Sequence, residues 1–148
     1  MTNRRQSKGE TKYKHFRLKP IGFIRSDLRR RKDAPRQGRE GAPDAVIDVL
    51  PSYVKALHRM RVGDEIIILS WLHRAQRDVM EVHPRRDASR PLTGVFSTRS
   101  PDRPNPIGLH RVKVLKIERS KLYVGPIEAI DRTPVVDIKP VLAESADS

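Results

Sequence analysis

Three short stretches of the chain combine proline with arginine, asparagine, glutamine or aspartate. They read APRQG at residues 34–38, TRSPDRPNPIGL at 98–109 and DRTPVVDIKP at 131–140. An arginine fork matches a carboxylate or a phosphate, and an asparagine amide both donates and accepts hydrogen bonds. Proline stiffens a loop, so polar groups held on it lose less freedom when a ligand binds. Each stretch alone is explained as a turn that caps itself, but three together favour a binding site.

The net positive charge of the chain indicates which class of partner it binds. The 148 residues carry a formal net charge of +13, and residues 1–40 hold fourteen Lys and Arg against four Asp and Glu. Such a surplus favours phosphate polymers as partners. Residues 1–14 are expected to form a basic flexible arm. The predicted RNA contacts lie further along the chain, at Arg29, Arg30, Arg31, Lys32, Arg85, Arg86 and Arg103.

Several classes of protein are excluded by what the sequence lacks. Cysteine is absent, which excludes disulfides and thiolate zinc sites, and the five histidines show no metal-ligand spacing, so no metal is expected. No apolar run is long enough to span a membrane, and no apolar stretch follows the charged first residues as in a secretory signal. Neither a Rossmann nor a P-loop glycine motif is present. We therefore expect a cytoplasmic protein.

The elements that must position these polar stretches are mainly short strands. Apolar spacing predicts about seven strands and one short helix over residues 51–60. The strands are expected within 16–26, 45–50, 64–72 (buried on both faces), 94–98, a hairpin over 109–125 with its turn near 119–120, and 134–141. Long loops fill 27–44 and 73–93. Regular helix–strand alternation is missing, so the prediction is a mainly β, small single-domain barrel over residues 15–142, with a tail at 143–148.

The polar stretches match a known family. GVFSTRSPDRPNPIGL, DRTPVVDIKP and APRQG together resemble the TsaA-like (TrmO) family over roughly residues 18–142. The resemblance implies an S-adenosylmethionine-dependent methyltransferase acting on N6 of a modified adenosine beside the tRNA anticodon. It also implies a mainly β, barrel-like fold and a homodimer. It places the cofactor among Pro35, Arg36, Gln37, Leu72, His73, Arg99, Leu109, Asp131, Thr133 and Pro134, and Asn105 joins them because its amide suits an adenine edge.

Side-chain chemistry fits roles at that site. Arg36 or Arg99 can pair with the methionyl carboxylate, and Asp131 can face the sulfonium. Methyl transfer to an amine by in-line attack leaves a proton to be removed, and Asp131 and His73 are the catalytic candidates for accepting it. Asp137 is a third option, although a structural pairing with Lys139 explains it better.

Two departures from the family pattern leave the function open to alternatives. The turn usually written D-G-T-P is DRTP here, so if the family's glycine has a positive φ, either Arg132 is strained or the turn differs. The aromatic residue usual after DIKP is Val141. The alternatives are methylation of another small or nucleic substrate, and a non-catalytic RNA-binding barrel.

Overall fold

The computed structural model describes residues 15–143, and all of them belong to one β-barrel with its loops. The predicted arm at 1–14 and tail residues 144–148 lie outside the described residues. The strands are β1 (Gly22–Arg25), β2 (Ala45–Val49), β3 (Glu65–Trp71), β4 (Glu81–Val82), β5 (Thr93–Gly94), β6 (Ile107–Glu118), β7 (Lys121–Gly125) and β8 (Pro134–Pro140).

Six strands close the barrel in the order β1-β2-β7-β6-β3-β8, and every pairing is antiparallel. Pairing of Gly22 with Val135 joins the first strand to the last and closes the ring. The hairpin of β6 and β7 turns at Arg119–Ser120, as the sequence predicts. The mainly β barrel is therefore confirmed.

Alternation along the strands builds the core. In β6, Val112 and Val114 are buried inside the barrel while Arg111 and Lys113 point outward, which confirms the predicted alternation. Strand β3 instead buries Ile66, Ile67 and Ile68 in a row. Ile67 faces outward in register with Arg111 and Lys139, whose aliphatic stems can cover it. The prediction of a strand buried on both faces holds at these three isoleucines.

The helix predicted over 51–60 is present as a shorter 3-10 helix, Pro51–Leu57. The apolar side chains of this segment pack against the barrel core: Tyr53, Val54, Leu57 and Met60. A proline at the first helical position needs no backbone hydrogen bond there, which suits the start of the segment.

The prediction of a strand over residues 94–98 is wrong. Only Gly94 is extended, in the two-residue pair of β4 and β5, and Val95–Ser97 form a 3-10 turn. The Val95 carbonyl accepts bonds from the Thr98 backbone N–H and hydroxyl at 3.1 and 3.0 Å. Local acceptors of this kind compete with a strand ladder, so the chain turns where the apolar pattern indicates a strand.

Antiparallel connectivity gathers the three long loops at one end of the barrel. We call this the loop end; it consists of residues 26–44, 72–106 and 126–133, which follow β1, β3 and β7. The opposite end carries the 50–64 connection and the tight β6–β7 turn. Among residues 15–143, no helix is long and apolar enough to cross a membrane.

Candidate functional site

The predicted site residues share one end of the barrel although they are spread over a hundred positions of sequence. All of those in loops lie in the three loops of the loop end, Pro134 begins β8 and Leu109 is near the start of β6. This convergence follows from the topology, because β1, β3 and β7 end where β2, β6 and β8 begin.

Arginines connect the first loop to the second. Arg31 donates to the Arg74 carbonyl at 3.2 Å and to Asp102 at 3.0 Å. Asp102 also accepts the Gln76 backbone N–H at 2.8 Å. Arg31 therefore holds two loops together, and its predicted contact with RNA stays a prediction.

A second connection involves the PRQ segment itself. Arg36 donates to the carbonyl of Arg85 at 2.7 Å, and Arg85 in turn donates to Glu40 at 3.2 Å. This bond lowers the pKa of Glu40 below its ordinary value. The segment at 35–37 and the loop at 84–86, predicted separately for cofactor and RNA, are thus in direct contact.

Arg103 shapes the stretch that contains Arg99. Its guanidinium donates to the carbonyls of Ser100, Val95 and Thr98 at 2.7, 2.8 and 2.5 Å. The side chain is half-buried. The structure thus gives Arg103 a positioning role in its own loop, and its RNA contact remains untested.

Arg77 is a supporting residue that no sequence motif marks. It stacks on Trp71 at 5.1 Å from the ring centroid and donates to the Pro104 carbonyl at 2.8 Å. It also donates to the Asn105 side-chain oxygen at 3.1 Å. The Asn105 amide therefore has one side-chain hydrogen bond among residues 15–143 and has further donor and acceptor capacity on an exposed surface.

Asp131 is tied into the fold. One carboxylate oxygen accepts the Ser26 backbone N–H at 3.0 Å and the other pairs with Arg29 at 3.4 Å, and the side chain is 15% exposed. Thr133 is buried and its hydroxyl donates to the Ile130 carbonyl at 2.7 Å. These two residues fix the position of the DRTP turn. Arg132 between them has φ 66°, which confirms the strain expected if this position needs a positive φ.

His73, the other catalytic candidate, lies on the exposed surface of the second loop. Partial burial, and secondarily the charge of Arg74, lower the pKa of His73 below its ordinary value. The imidazole is therefore neutral at neutral pH and has a nitrogen lone pair with which to accept a proton. Asp137, the third option, forms an ion pair with Lys139 at 2.9 Å.

Three predicted cofactor residues present open surface. Arg99 is exposed, and its side chain has no hydrogen bond or ion pair with any other residue in the range 15–143. Leu109 is 42% exposed on the outer face of β6, and Leu72 is half-buried. The structure therefore leaves one guanidinium and two apolar side chains available to a ligand at this end.

Beneath the loops, Ser70, His110 and Glu128 form a hydrogen-bonded row of side chains that no sequence motif indicates. His110 Nε2 lies 2.6 Å from the Ser70 hydroxyl, and Nδ1 lies 2.5 Å from Glu128. An ionised carboxylate only accepts, so Nδ1 donates to Glu128, and Nε2 lies within hydrogen-bond distance of the Ser70 hydroxyl. Ser70 is 0% exposed, so it does not serve as a nucleophile for a ligand at the surface. The inward register of His110 in β6 is the only signal the sequence offers.

The row of Ser70, His110 and Glu128 lies beside Gly38, which directly follows the PRQ segment, and close to Leu72. A Cβ on Gly38 would lie 3.3 Å from Glu128 Oε2, and one on Gly108 would lie 3.0 Å from Leu72 Cδ2. Within the described part of the chain, no three His, Asp or Glu side chains gather as metal ligands. The site is thus a set of loops packed over a hydrogen-bonded base, with arginine and apolar side chains at its surface.

A closed antiparallel barrel whose polar loops gather at one end defines the class: a small β-barrel protein with a loop-built candidate site. The family model for the tRNA-methyltransferase O N-terminal domain matches residues 23–148. The chain therefore belongs to this family. Residues 23–148 include all three of the polar stretches that carry the resemblance in the sequence.

Archaeal proteins are among its relatives. A probable S-adenosyl-L-methionine-binding protein of Methanothermobacter thermautotrophicus is 43% identical over 84% of this chain and 89% of its own length. An S-adenosyl-L-methionine-binding protein of Archaeoglobus fulgidus is 43% identical over 82% of this chain and 86% of that protein.

Solved structures share the fold. The crystal structure of TrmO from Pseudomonas aeruginosa matches with a TM-score of 0.71 and 30% identity, covering 90% of this chain. This chain spans only 60% of that TrmO chain. The barrel is therefore common to both, and the longer protein has further residues outside the match.

Proposed function

We propose that this chain is an S-adenosylmethionine-dependent methyltransferase that modifies N6 of an adenosine beside the anticodon of tRNA. Family membership supports methyl transfer. The observation that carries the proposal is the convergence of Pro35–Gln37, Leu72–His73, Arg99 and Asp131–Pro134 at one end of the barrel. These segments are far apart in sequence, and the fold alone does not require polar residues in all of them.

The residues at the loop end fit the cofactor's chemistry. Arg99 offers a guanidinium without a partner among residues 15–143, which suits the methionyl carboxylate. Leu72 and Leu109 offer partly exposed apolar surface for the adenine. Arg36 is a weaker candidate for the carboxylate, since it already donates to the Arg85 carbonyl at 2.7 Å. S-adenosylmethionine, when bound, supplies an electrophilic methyl group on a sulfonium.

His73 is the better of the two candidates for accepting the proton that the amine loses. Its lowered pKa leaves the ring neutral and able to accept a proton at neutral pH. Asp131 is occupied by Ser26 and Arg29. We assign Asp131, Thr133 and Pro134 to the cofactor side of the site, where a fixed turn positions backbone groups.

Positive charge supports tRNA as the substrate. Arg29, Lys32, Arg85 and Arg86 are exposed at the loop end, on a chain with net charge +13. We also propose a cytoplasmic location, which is consistent with a tRNA substrate. The chain is further proposed to act as a homodimer, supported by strongly exposed Phe96 and by the outward, partly exposed Ile107 in β6. Sedimentation equilibrium of the purified protein tests this, since a monomer mass at micromolar concentration contradicts it.

Calorimetric titration with S-adenosylmethionine tests the cofactor site. The wild type is expected to bind, and Arg99→Ala is expected to lose at least tenfold in affinity, because a charged hydrogen bond contributes about 1.5–3 kcal/mol. Arg61→Ala is the matched control, since Arg61 is an exposed arginine at the opposite end of the barrel. Absence of binding by the wild type, both alone and with tRNA present, would contradict the proposed cofactor. Equal losses in both variants would contradict the role of Arg99.

A further inference from the structure

Left-handed backbone positions in this protein are filled by arginine to an unusual degree. Within residues 15–143, five non-glycine residues have positive φ, and all five are arginine: Arg59, Arg85, Arg86, Arg119 and Arg132. Such positions favour glycine, asparagine or aspartate, because other side chains crowd the backbone. Arginine makes up 21 of the 148 residues, so composition alone does not explain five out of five.

Arg132 is the member of this set closest to the candidate site. It is the third residue of a four-residue turn, Ile130–Thr133, in which the Thr133 N–H donates to the Ile130 carbonyl at 3.3 Å. Its own N–H donates to the Ile24 carbonyl at 2.6 Å, so the turn is anchored on β1. A positive φ at the third position of a turn is the situation in which glycine is favoured.

The fold makes little use of the Arg132 side chain. It is 88% exposed, and its one ion pair among the described residues is a 3.9 Å contact with Asp131. An exposed pair at that distance adds almost nothing to stability. The side chain therefore occupies a strained position without a structural return, which points to a role outside the fold.

Asp131 brings a second arginine to the same place. Arg29 pairs with it at 3.4 Å and is itself 71% exposed, while Asp131 is 15% exposed. One sheltered carboxylate thus holds two guanidinium groups, the three side chains together have a formal charge of +1, and most of the guanidinium donors face solvent. Two neighbouring arginine forks are the arrangement that best matches the oxygens of a phosphate.

We propose that Arg132 and Arg29 form a binding site for a backbone phosphate of the RNA substrate at the loop end. The proposal deepens the proposed function and rests on tRNA being the substrate. The arginine replaces the residue that the turn favours because the phosphate contact needs its charge. Asp131 acts here as a positioning residue that keeps the two cations together.

Arg132→Gly removes both the left-handed strain and the positive charge, and the two effects are measured separately. Relief of the left-handed strain is expected to raise the melting temperature by about 2–4 °C, which is the shift for roughly 1 kcal/mol in a domain of this size. Affinity for purified total tRNA is expected to fall three- to tenfold. The slope of log affinity against log salt is expected to shrink by about 0.7–0.9, the value for one lost phosphate contact.

Arg119→Gly is the matched control. Arg119 also has positive φ, at the first central position of the β6–β7 turn, but it lies at the opposite end of the barrel. It is expected to raise the melting temperature similarly and to leave tRNA affinity and salt slope unchanged. Arg132→Asn, which tolerates the left-handed backbone without a charge, is expected to lose tRNA affinity as Arg132→Gly does. Arg132→Lys is expected to retain the salt slope.

Four results would overturn the proposal. Wild-type tRNA affinity and slope in Arg132→Gly would refute it while leaving the proposed function intact. Equal tRNA losses in Arg132→Gly and Arg119→Gly would show a general charge effect in place of a site. A loss of S-adenosylmethionine affinity with unchanged tRNA affinity would assign Arg132 to the cofactor carboxylate. A wild type that binds S-adenosylmethionine but no tRNA would remove the tRNA function itself, and the phosphate site with it.

Discussion

Gly108 is the position where one added methyl group should damage both the fold and the site. It lies inside the barrel in β6, beside the bond between Ser70 and His110. A Cβ there would lie 2.5 Å from Ser70 Oγ, 2.8 Å from His110 Nε2 and 3.0 Å from Leu72 Cδ2. Since real contacts of this kind rarely fall below 3.4 Å, Ser70 and His110 must move by several tenths of an ångström or more in a packed interior.

The expected cost of Gly108→Ala follows from two effects. Forcing apart the Ser70–His110 bond leaves buried polar groups poorly paired, at about 1–3 kcal/mol, and overpacking a core costs a further 1–3 kcal/mol or so. The sum is about 2–6 kcal/mol, a large share of the roughly 5–15 kcal/mol that stabilises a typical domain. Displacement of Leu72 is also expected to weaken S-adenosylmethionine binding.

Urea unfolding of matched variants measures this cost. Gly94→Ala is the control, because a Cβ on Gly94 meets nothing within 4 Å and its φ of −57° suits alanine. Adding Ser70→Ala to Gly108→Ala removes the closest contact, so the double variant should be more stable than the sum of the single effects by about 1 kcal/mol or more. A Gly108→Ala protein as stable as Gly94→Ala, or strictly additive effects of the pair, would refute the packing described here.

Three further predictions concern the core, the second loop and pH. Leu122→Ala is expected to cost about 2–5 kcal/mol in urea unfolding, because Leu122 is fully buried in the barrel, and a cost near zero would contradict that core. Arg103→Ala removes three carbonyl contacts, so amides of residues 95–103 are expected to exchange hydrogen faster while strand amides do not change. The lowered pKa of His73 means that the folded state resists protonation there, so stability falls as pH drops below about 6.5. His73→Asn should reduce that fall between pH 7 and pH 5, and an unchanged pH dependence of the urea midpoint would contradict the assignment.

The barrel could be predicted from the sequence because its strands follow simple patterns. Alternation in β6 and β7, with a short polar turn between them, marks a hairpin without reference to the rest of the chain. The run at Ile66–Ile68 marks a buried strand in the same way. Missing helix–strand alternation then leaves few folds other than an antiparallel barrel.

Features that depend on distant partners could not be predicted. The turn at Val95–Ser97 has an apolar pattern that fits a strand, but the Val95 carbonyl accepts from Thr98 nearby and from the Arg103 guanidinium eight residues away, and the apolar pattern indicates neither bond. The chain of Ser70, His110 and Glu128 joins three separate segments, and no local motif indicates it. The candidate site could be predicted because each of its proline-rich stretches is continuous in sequence. The contacts beneath the site join residues from separate segments, so the sequence does not indicate them.

The proposed reaction is methyl transfer from S-adenosylmethionine to N6 of an adenosine in tRNA. The most direct test incubates the protein with tRNA and S-adenosylmethionine carrying an isotopically labelled methyl group, followed by digestion and mass spectrometry of the nucleosides. We expect label on N6 of an adenosine derivative from the position beside the anticodon, and much less label with Arg99→Ala. Label on another base, or unlabelled tRNA from a protein that binds the cofactor, would contradict it.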